Sequence, residues 1–229
     1  ARVTIEFAQK HGLPMAVAIG YEFLGENACS AGEWTSGLEY ARREREVARR
    51  IHSRERMGWT HMYAGLCANL LGDVVRAEQE FRDGITLADA ISERRLGCLL
   101  VCFLGEVQAA TGRTDEALET EMRALQLADN LDLVHMKSEV RRALASIRFR
   151  RGETEEALRL IDEVYELLAS SEGRVSRLWT GPLRIEVLLS LGRRDEARNR
   201  LSDFAALVAE CQSPHFEREL VRLADLVRG

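Results

Sequence analysis

Glycine recurs at a fixed interval along this chain, with no insertion or deletion in the series. The five positions are Gly32, Gly72, Gly112, Gly152 and Gly192, which gives a 40-residue period. A fixed period of this size is the signature of stacked structural repeats. The periodicity therefore predicts that one structural unit is repeated along nearly the whole chain.

Each repeat has the pattern of two helices joined by a short turn. In the second unit, apolar residues at helical spacing run from Ser53 to Leu71, stop at Gly72 and resume from Val74 to Ala90. This pattern predicts a helical hairpin. Glycine suits the break because it lacks the Cβ atom that clashes in the left-handed conformation that commonly ends a helix.

Further columns of small residues keep the same register. The positions are Gly25, Gly65, Gly105 and Ala145 in one column, Gly37, Ala77, Ala117, Ala157 and Ala197 in another, and Ala8, Ala48, Ala88 and Ala128 in a third. In the second unit we expect Gly65 and Ala77 to lie where the two helices of a hairpin approach closely, with Phe81 one turn further along. A larger residue there would push the helices apart.

The residues that follow each glycine suit the start of a helix. Thr114, Thr154 and Asp195 are expected to cap free backbone N–H groups with their side-chain oxygens. Acidic residues come directly after them, as in Asp115 and Glu116, and negative charge in a first turn complements the helix dipole.

Composition narrows the class of protein. The net charge of −5 is spread over both signs, which argues against a dedicated nucleic-acid surface. The longest stretch without Asp, Glu, Lys or Arg, Met57–Gly72, is shorter than the roughly 20 apolar residues of a membrane-spanning helix. No secretory signal can be recognised either, so we expect a cytoplasmic location and no membrane contact. The five cysteines have no repeating spacing and are expected to be buried as small apolar residues in a reducing compartment.

The repeat pattern resembles the tetratricopeptide repeat, whose signature combines Leu-Gly in the first helix with alanine and then an aromatic residue in the second. Leu24-Gly25 and Leu104-Gly105 match the first part in full, and Ala77 with Phe81 matches the second. The 40-residue period exceeds the family's period of about 34. We expect longer helices to accommodate the additional residues.

This resemblance implies an all-α fold: a right-handed superhelical solenoid of about five antiparallel helical hairpins. Units of this length are similar to those in the C-terminal regions of bacterial signalling ATPases, including regulators like the maltose activator, and of some class III nucleotide cyclases. The resemblance therefore implies a regulatory region of a bacterial protein.

We expect the whole chain, residues 1–229, to form a single solenoid. Residues 1–11 are predicted to be the end of a truncated repeat, since Ala8 occupies the column of Ala48, and residues 212–229 to be a terminal helix. The complete repeats are predicted at 12–51, 52–91, 92–131, 132–171 and 172–211. Because the chain starts within a repeat and lacks an initiator methionine, we interpret it as a fragment of a longer protein.

No reaction centre can be recognised in the sequence. Gly105–Gly112 lacks the lysine and hydroxyl of a phosphate-binding loop. Cys98 and Cys102 would share a helix face and could supply two metal ligands, but burial is favoured because no further ligand follows at a suitable spacing. Glu155 and Glu156 are explained by a helix start. We predict no catalytic residue, no metal and no cofactor, and therefore a protein that is not an enzyme.

The clearest candidate for a binding site is a group of basic residues in the first helix of the fourth unit. Arg142, Ser146, Phe149 and Arg150 are expected to share one face. The tetratricopeptide arrangement implies that this face lines a concave groove, where we also expect Asn69, Phe103, Glu106, Trp179 and Glu186. The arginines could bind an acidic peptide, a phosphate or another domain. Alternatively, and this is favoured, they form a solvated face that pairs with Glu139, Glu153 and Glu155.

Two functions from different classes remain open. The leading hypothesis is a non-catalytic protein–protein interaction scaffold, the recognition or regulatory region of a larger bacterial signalling or transcription-regulating protein. Its partner would be a protein or peptide, or upstream domains of the same polypeptide, without direct nucleic-acid contact. The alternative is a domain that senses a small-molecule inducer in the concave groove, or the regulatory region of a nucleotide cyclase.

Overall fold

In a computed structural model, the described residues are 2–131, 133–169, 173–211 and 213–229, and they form α-helices joined by short turns, without a strand. The helices are α1 (Arg2–Lys10), α2 (Pro14–Ala31), α3 (Trp34–Arg50), α4 (Arg54–Leu70), α5 (Val74–Ile91), α6 (Arg94–Ala110), α7 (Thr114–Asp129), α8 (Val134–Arg150), α9 (Thr154–Leu167), α10 (Arg174–Ser190), α11 (Arg194–Cys211) and α12 (Pro214–Arg228). The predicted all-α fold is confirmed. The predicted repeat boundaries at 132, 171, 172 and 212 lie outside the described residues.

The helices pack as consecutive hairpins. Within the hairpins, α2 contacts α3, α4 contacts α5, α8 contacts α9 and α10 contacts α11. The first helices of consecutive hairpins also contact each other, α2 with α4, α8 with α10 and α10 with α12. The chain is therefore a solenoid of helical hairpins, as the periodicity predicts. No helix in the described ranges is long and apolar enough to cross a membrane.

The chain divides into two compact units, residues 1–107 and 108–229. The first unit has a core in which Phe81, Leu96 and Leu100 are fully buried. The core of the second unit includes the fully buried Ile185 and Leu223. Each unit thus has an apolar core built from the facing sides of its own helices.

The predicted left-handed turns are present at all five glycines of the 40-residue series, with φ angles between 73° and 83°. The turn at Gly72 shows the hydrogen bonding. The Gly72 N–H donates to the Asn69 carbonyl at 2.9 Å, and the Asp73 N–H donates to the Ala68 carbonyl at 2.9 Å. These two bonds form the Schellman motif and satisfy carbonyl groups that the helix end leaves free.

Positive φ angles also occur at His52 and Ser92, midway between glycines of the series, and at Gly12, half a period before the first of them. The same two backbone bonds close the turns at His52 and Ser92. The left-handed residue therefore recurs at every half period wherever this series falls on described residues. From Gly32 onwards, glycine occupies every second one of these turns, and this gives the 40-residue period of the sequence.

The predicted side-chain caps are wrong by one or two positions. Thr114, Thr154 and Asp195 lie inside the first turn of their helices rather than at the N-cap. The reason is geometric, because the two-residue turn places the residue directly after each glycine at the cap. A side-chain cap forms where the residue after the left-handed position has a suitable side chain. Asp73, which follows Gly72, accepts from the Arg76 amide at 3.2 Å. Ser53, which follows His52, accepts from the Arg56 amide at 3.3 Å.

The close approach expected at Gly65 is confirmed. A Cβ atom built on Gly65 would lie 2.4 Å from the nearest ring carbon of Phe81, far inside van der Waals contact. At Gly25, the same position one repeat earlier, a Cβ atom would meet only the Cβ of Tyr40, at 3.8 Å. Glycine is thus required sterically at only one of these two positions.

We expect the substitution Gly65→Ala to lower the free energy of unfolding by about 1–3 kcal/mol, because the ring of the fully buried Phe81 cannot move away without cost. Gly25→Ala should instead raise it by up to about 1 kcal/mol, since alanine is the better helix former. Urea unfolding followed by circular dichroism measures both changes. Equal effects of the two substitutions would contradict this account of the packing.

Candidate functional site

The four residues predicted on one face of α8 do share that face. Arg142, Ser146 and Arg150 follow one another at intervals of four positions, and Phe149 lies three positions after Ser146, directly before Arg150. At about 100° per residue, all four fall within roughly 100° of the helix circumference. Arg142 and Ser146 are half-buried, and Arg150 is exposed. Phe149 packs against the core of the second unit. The face therefore combines one solvent-accessible cation with a partly exposed aromatic ring.

Most arginines of this segment are engaged in ion pairs. Arg142 Nε donates to Glu139 Oε1 at 2.9 Å, and Arg151 Nε donates to Glu153 Oε1 at 2.8 Å. Hydrogen bonding by Arg151 lowers the pKa of the Glu153 carboxyl. These are two of the three acidic partners expected for a paired face. Within the described part of the chain, Arg150 makes no ion pair, so its charge stays accessible.

Trp179 and Glu186 lie two turns apart on α10, where the terminal helix α12 packs against them. The centroid of the Trp179 ring lies 5.1 Å from that of Phe216, with the rings nearly perpendicular. Glu186 Oε1 lies 2.7 Å from Nη1 of Arg222. Both predicted residues remain half-buried. Part of their polar and aromatic surface is therefore already used within the second unit.

The second unit carries six of the nine predicted residues on the first helices of two hairpins that contact each other. Ser146 and Glu186 occupy the same repeat position one period apart. We define the α8–α10 face as Arg142, Ser146, Phe149, Arg150, Trp179 and Glu186.

The other three predicted residues belong to the first unit. Asn69, Phe103 and Glu106 are all half-buried, on α4 and α6. Phe103 packs on Phe81, with ring centroids 5.8 Å apart, and so belongs largely to the core. These residues are therefore not part of the α8–α10 face, which belongs to the second unit.

Sequence reasoning missed an acidic cluster on the corresponding positions of the first unit. Glu22 and Glu26 lie three periods before Arg142 and Ser146. The Tyr63 hydroxyl donates to Glu26 Oε1 at 2.6 Å, and the guanidinium of Arg56 bonds to Glu22. A comparison of each repeat position along the chain would have shown this change from acidic to basic residues.

Glu44, on α3, is the most buried carboxyl of this cluster, with 1% of its side chain exposed. Neither carboxyl oxygen has a hydrogen-bond partner among the described residues. The nearest cationic atom is Nη1 of Arg56, at 3.7 Å. Burial, with a smaller contribution from the charge of Glu22, raises the pKa of Glu44 to about 8. The side chain is therefore mainly protonated at neutral pH.

The cysteines are mostly buried, as predicted. Cys98 and Cys102 are inaccessible to solvent, which agrees with the favoured interpretation of core thiols. Cys29 and Cys67 bring their sulfur atoms within 3.2 Å of each other. Among the described residues, no group of three or more histidine, cysteine or acidic side chains is arranged to hold a metal ion.

A cavity that the sequence analysis did not predict lies between α9, α10 and α11, with a volume of about 410 Å³. Its lining residues are Tyr165, Ala169, Arg177, Gly181, Arg184, Arg200, Asp203, Phe204 and Leu207. The three α10 residues among them are spaced by four and three positions and share one side of the helix. Trp179 and Glu186 lie on the opposite side of α10. The cavity is therefore separate from the α8–α10 face.

Comparison with known proteins supports the tetratricopeptide-like character of the repeats. The sequence model of the family described as Tetratricopeptide repeat matches residues 100–120 and 138–163. Each matched segment includes one of the glycine turns, at Gly112 or Gly152. No curated protein sequence matches the chain.

Solved structures with the same fold include three complexes. A Rap conjugation gene regulator of plasmid pLS20 with the Phr* peptide has a TM-score of 0.80 and 13% identity, with 96% of this chain and 60% of that chain covered. A Rap protein with Competence and Sporulation Factor has a TM-score of 0.78 and 10% identity, with 91% and 57% covered. NprR with its cognate peptide NprX has a TM-score of 0.75 and 17% identity, with 92% and 60% covered.

This chain thus spans between 57% and 60% of the length of these three proteins. At such low identity, the similarity establishes the fold alone. The chain is a tetratricopeptide-like helical repeat region, structurally similar to these three proteins.

The buried carboxyl of Glu44 makes the stability of the chain depend on pH. Its pKa is about 8 in the folded chain against an ordinary value of 4.5, so between these values the folded chain holds a proton that the unfolded chain releases. Stability therefore falls as pH rises through this window, by up to about 1.4 kcal/mol per pH unit. We expect Glu44→Gln to remove this component, so that the variant gains stability relative to the wild type between about pH 4 and about pH 9.

Urea unfolding at a series of pH values measures this gain. Glu46→Gln is the matched control, because Glu46 is an exposed residue of the same helix, and it should keep the wild-type pH dependence. An identical pH dependence in Glu44→Gln and the wild type would show that Glu44 is ionised in the folded chain.

Proposed function

We propose that this chain is a non-catalytic, cofactor-free regulatory region of a larger bacterial signalling or transcription-regulating protein, and that its α8–α10 face binds a peptide segment of a partner. The observation that supports this most directly is the fold, which is shared with regulators whose structures contain a peptide, Phr* in one case and NprX in another. Stacked hairpins present a long surface suited to an extended segment.

The side chains of the α8–α10 face favour an acidic segment with an apolar anchor. The exposed Arg150 can bond a carboxylate with two parallel N–H donors. Phe149 and Trp179 are half-buried, so each ring still offers apolar surface while packing fixes its position. Fixed aromatic side chains contribute strongly to binding because little conformational freedom is lost.

The two carboxylates at the corresponding positions of the first unit are already engaged in hydrogen bonds and are less available to a ligand. Glu22 is bonded to Arg56, and Glu26 accepts from Tyr63. A ligand would have to replace these contacts before it could use either carboxylate. For this reason we place the main contact with an acidic partner segment in the second unit.

The test is selection of a random heptapeptide display library on the immobilised full chain. We expect the selected peptides to be enriched in aspartate and glutamate next to an aromatic or aliphatic residue. Arg150→Glu should weaken their binding about tenfold or more, because it replaces attraction by repulsion at the contact. Fluorescence anisotropy with a labelled selected peptide measures the dissociation constant.

Arg198→Glu is the matched control, since Arg198 is 59% exposed, lies on α11 and is not part of the α8–α10 face. It makes the same change of charge and should leave the affinity nearly unchanged. Equal weakening by both variants would indicate a nonspecific charge effect. A library without acidic enrichment, or binding that survives Arg150→Glu, would remove the α8–α10 face from the proposal.

A further inference from the structure

The cavity between α9, α10 and α11 is lined by three arginines, Arg177, Arg184 and Arg200. Arg184 Nη2 donates to Asp162 Oδ1 at 2.7 Å, and its guanidinium carbon lies 4.3 Å from the centre of the Tyr165 ring. Stacking of this kind fixes the plane of the guanidinium. Arg184 is therefore held in a defined orientation at the cavity wall.

Two of these arginines still have an unused donor. Arg177 Nη2 donates to the Leu168 carbonyl at 2.7 Å, but the Nε–H groups of Arg177 and Arg184 are both buried and have no hydrogen-bond partner among the described residues. A buried donor without an acceptor costs free energy, about 1–3 kcal/mol or more for a charged group. An acceptor in the cavity reaches these donors only after a side-chain shift, because both Nε atoms are closed to solvent.

The repeat itself shows that hairpin packing does not require arginine at position 184. The residues at the same position in the other four hairpins are Leu24, Ala64, Leu104 and Leu144. The last three of these are buried, with at most 8% of their surface exposed. Arg184 thus replaces the apolar residue of the Leu-Gly signature at a place where the fold is satisfied by leucine.

The first unit has a different set of residues at this place. Three periods before Tyr165, Gly181 and Arg200 stand Arg45, His61 and Glu80. Arg45 Nη2 and His61 Nδ1 each lie 2.7 Å from Glu80 Oε2, and the three side chains form a closed, half-buried network.

In that network the carboxylate is held by its neighbours. Burial alone would raise the pKa of Glu80, but hydrogen bonds from His61 and Arg45 lower it to about 2. The first unit thus supplies both the hydrogen-bonding partners and the carboxylate from its own chain. In the second unit the carboxylate position is occupied by Arg200, which reverses the charge there. The histidine position is occupied by Gly181, against which the ring of Phe204 packs.

We propose that the cavity of the second unit binds a small organic carboxylate. Arg177 and Arg184 would hold the carboxylate. Phe204, Leu207 and Tyr165 would contact its apolar part, since they form much of the remaining lining. A volume of about 410 Å³ is within the usual range for small-molecule sites.

The local charges favour a monocarboxylate over a more highly charged ligand. Against the three arginines stand two carboxylates, Asp162 bonded to Arg184 and Asp203 bonded to Arg200 at 2.7 Å. The balance is one uncompensated positive charge. A single carboxylate neutralises it, whereas a phosphate dianion would leave an excess negative charge beside both aspartates.

The experiment titrates the full chain with benzoate, hexanoate and inorganic phosphate by isothermal titration calorimetry, with benzamide as the uncharged analogue of benzoate. We expect saturable binding of at least one of the two carboxylates at millimolar or lower concentration, and none of benzamide. Arg184→Leu should weaken carboxylate binding at least about tenfold, because it removes the ligand's main donor and leaves the residue found at three other hairpins. Arg200→Glu should do the same by restoring the charge of the first unit.

Arg198→Glu on the same helix controls for net charge, because its side chain is outside the cavity, and it should bind carboxylate like the wild type. Circular dichroism identifies a variant that does not fold. If Arg184→Leu does not fold, Arg200→Glu decides the result, because Arg200 is an exposed residue. Absence of carboxylate binding to the wild type, unchanged binding in Arg200→Glu, or binding of phosphate alone would overturn the proposal. None of these results depends on peptide binding at the α8–α10 face.

Discussion

The left-handed turn that recurs at every half period of the repeat is the constraint on which the rest of the structure depends. Its two backbone hydrogen bonds close every described turn of this series in the same way, whether the central residue is Gly72, His52 or Ser92. A helix rotates by about 100° per residue, so one inserted residue would turn every later side chain away from its partner. Because the turns have constant length, equivalent positions keep equivalent surroundings.

Because equivalent positions stay aligned from hairpin to hairpin, helices can pack closely wherever a glycine faces a larger side chain. No single residue has to be invariant. Gly65 makes room for the ring of Phe81, and Gly181 makes room for Phe204, although the two glycines occupy different repeat positions. Gly37 lies against the sulfur of Cys67 in a third variation. Each pair places a glycine on one helix opposite a larger side chain on another. The small-residue columns of the sequence therefore mark where helices approach, while the partner differs from hairpin to hairpin.

Features governed by short sequence separation could be predicted, and those that depend on side chains from distant helices could not. The hairpins follow from local periodicity, and the pairs Arg142–Glu139 and Arg151–Glu153 join residues two or three positions apart. The pair Arg222–Glu186 joins two helices and has no signal in a linear pattern. The cavity has no signal in a linear pattern either, because its arginines are dispersed along the sequence. Arg177, Arg184 and Arg200 converge only when three helices pack.

A repeat protein nevertheless provides its own comparison, because the fold imposes the same demands on every hairpin. At the position of Arg184, the other four hairpins have leucine or alanine, and packing explains these four residues. Packing does not explain the arginine. Partial burial of a guanidinium carries a desolvation cost that leucine avoids, so stability gives no reason for the exchange. The first unit encloses Glu80 between Arg45 and His61 of its own chain, whereas the second presents arginines around a cavity. The departure from the repeat, rather than the repeat itself, therefore marks the place where the chain is adapted to bind something other than its own helices.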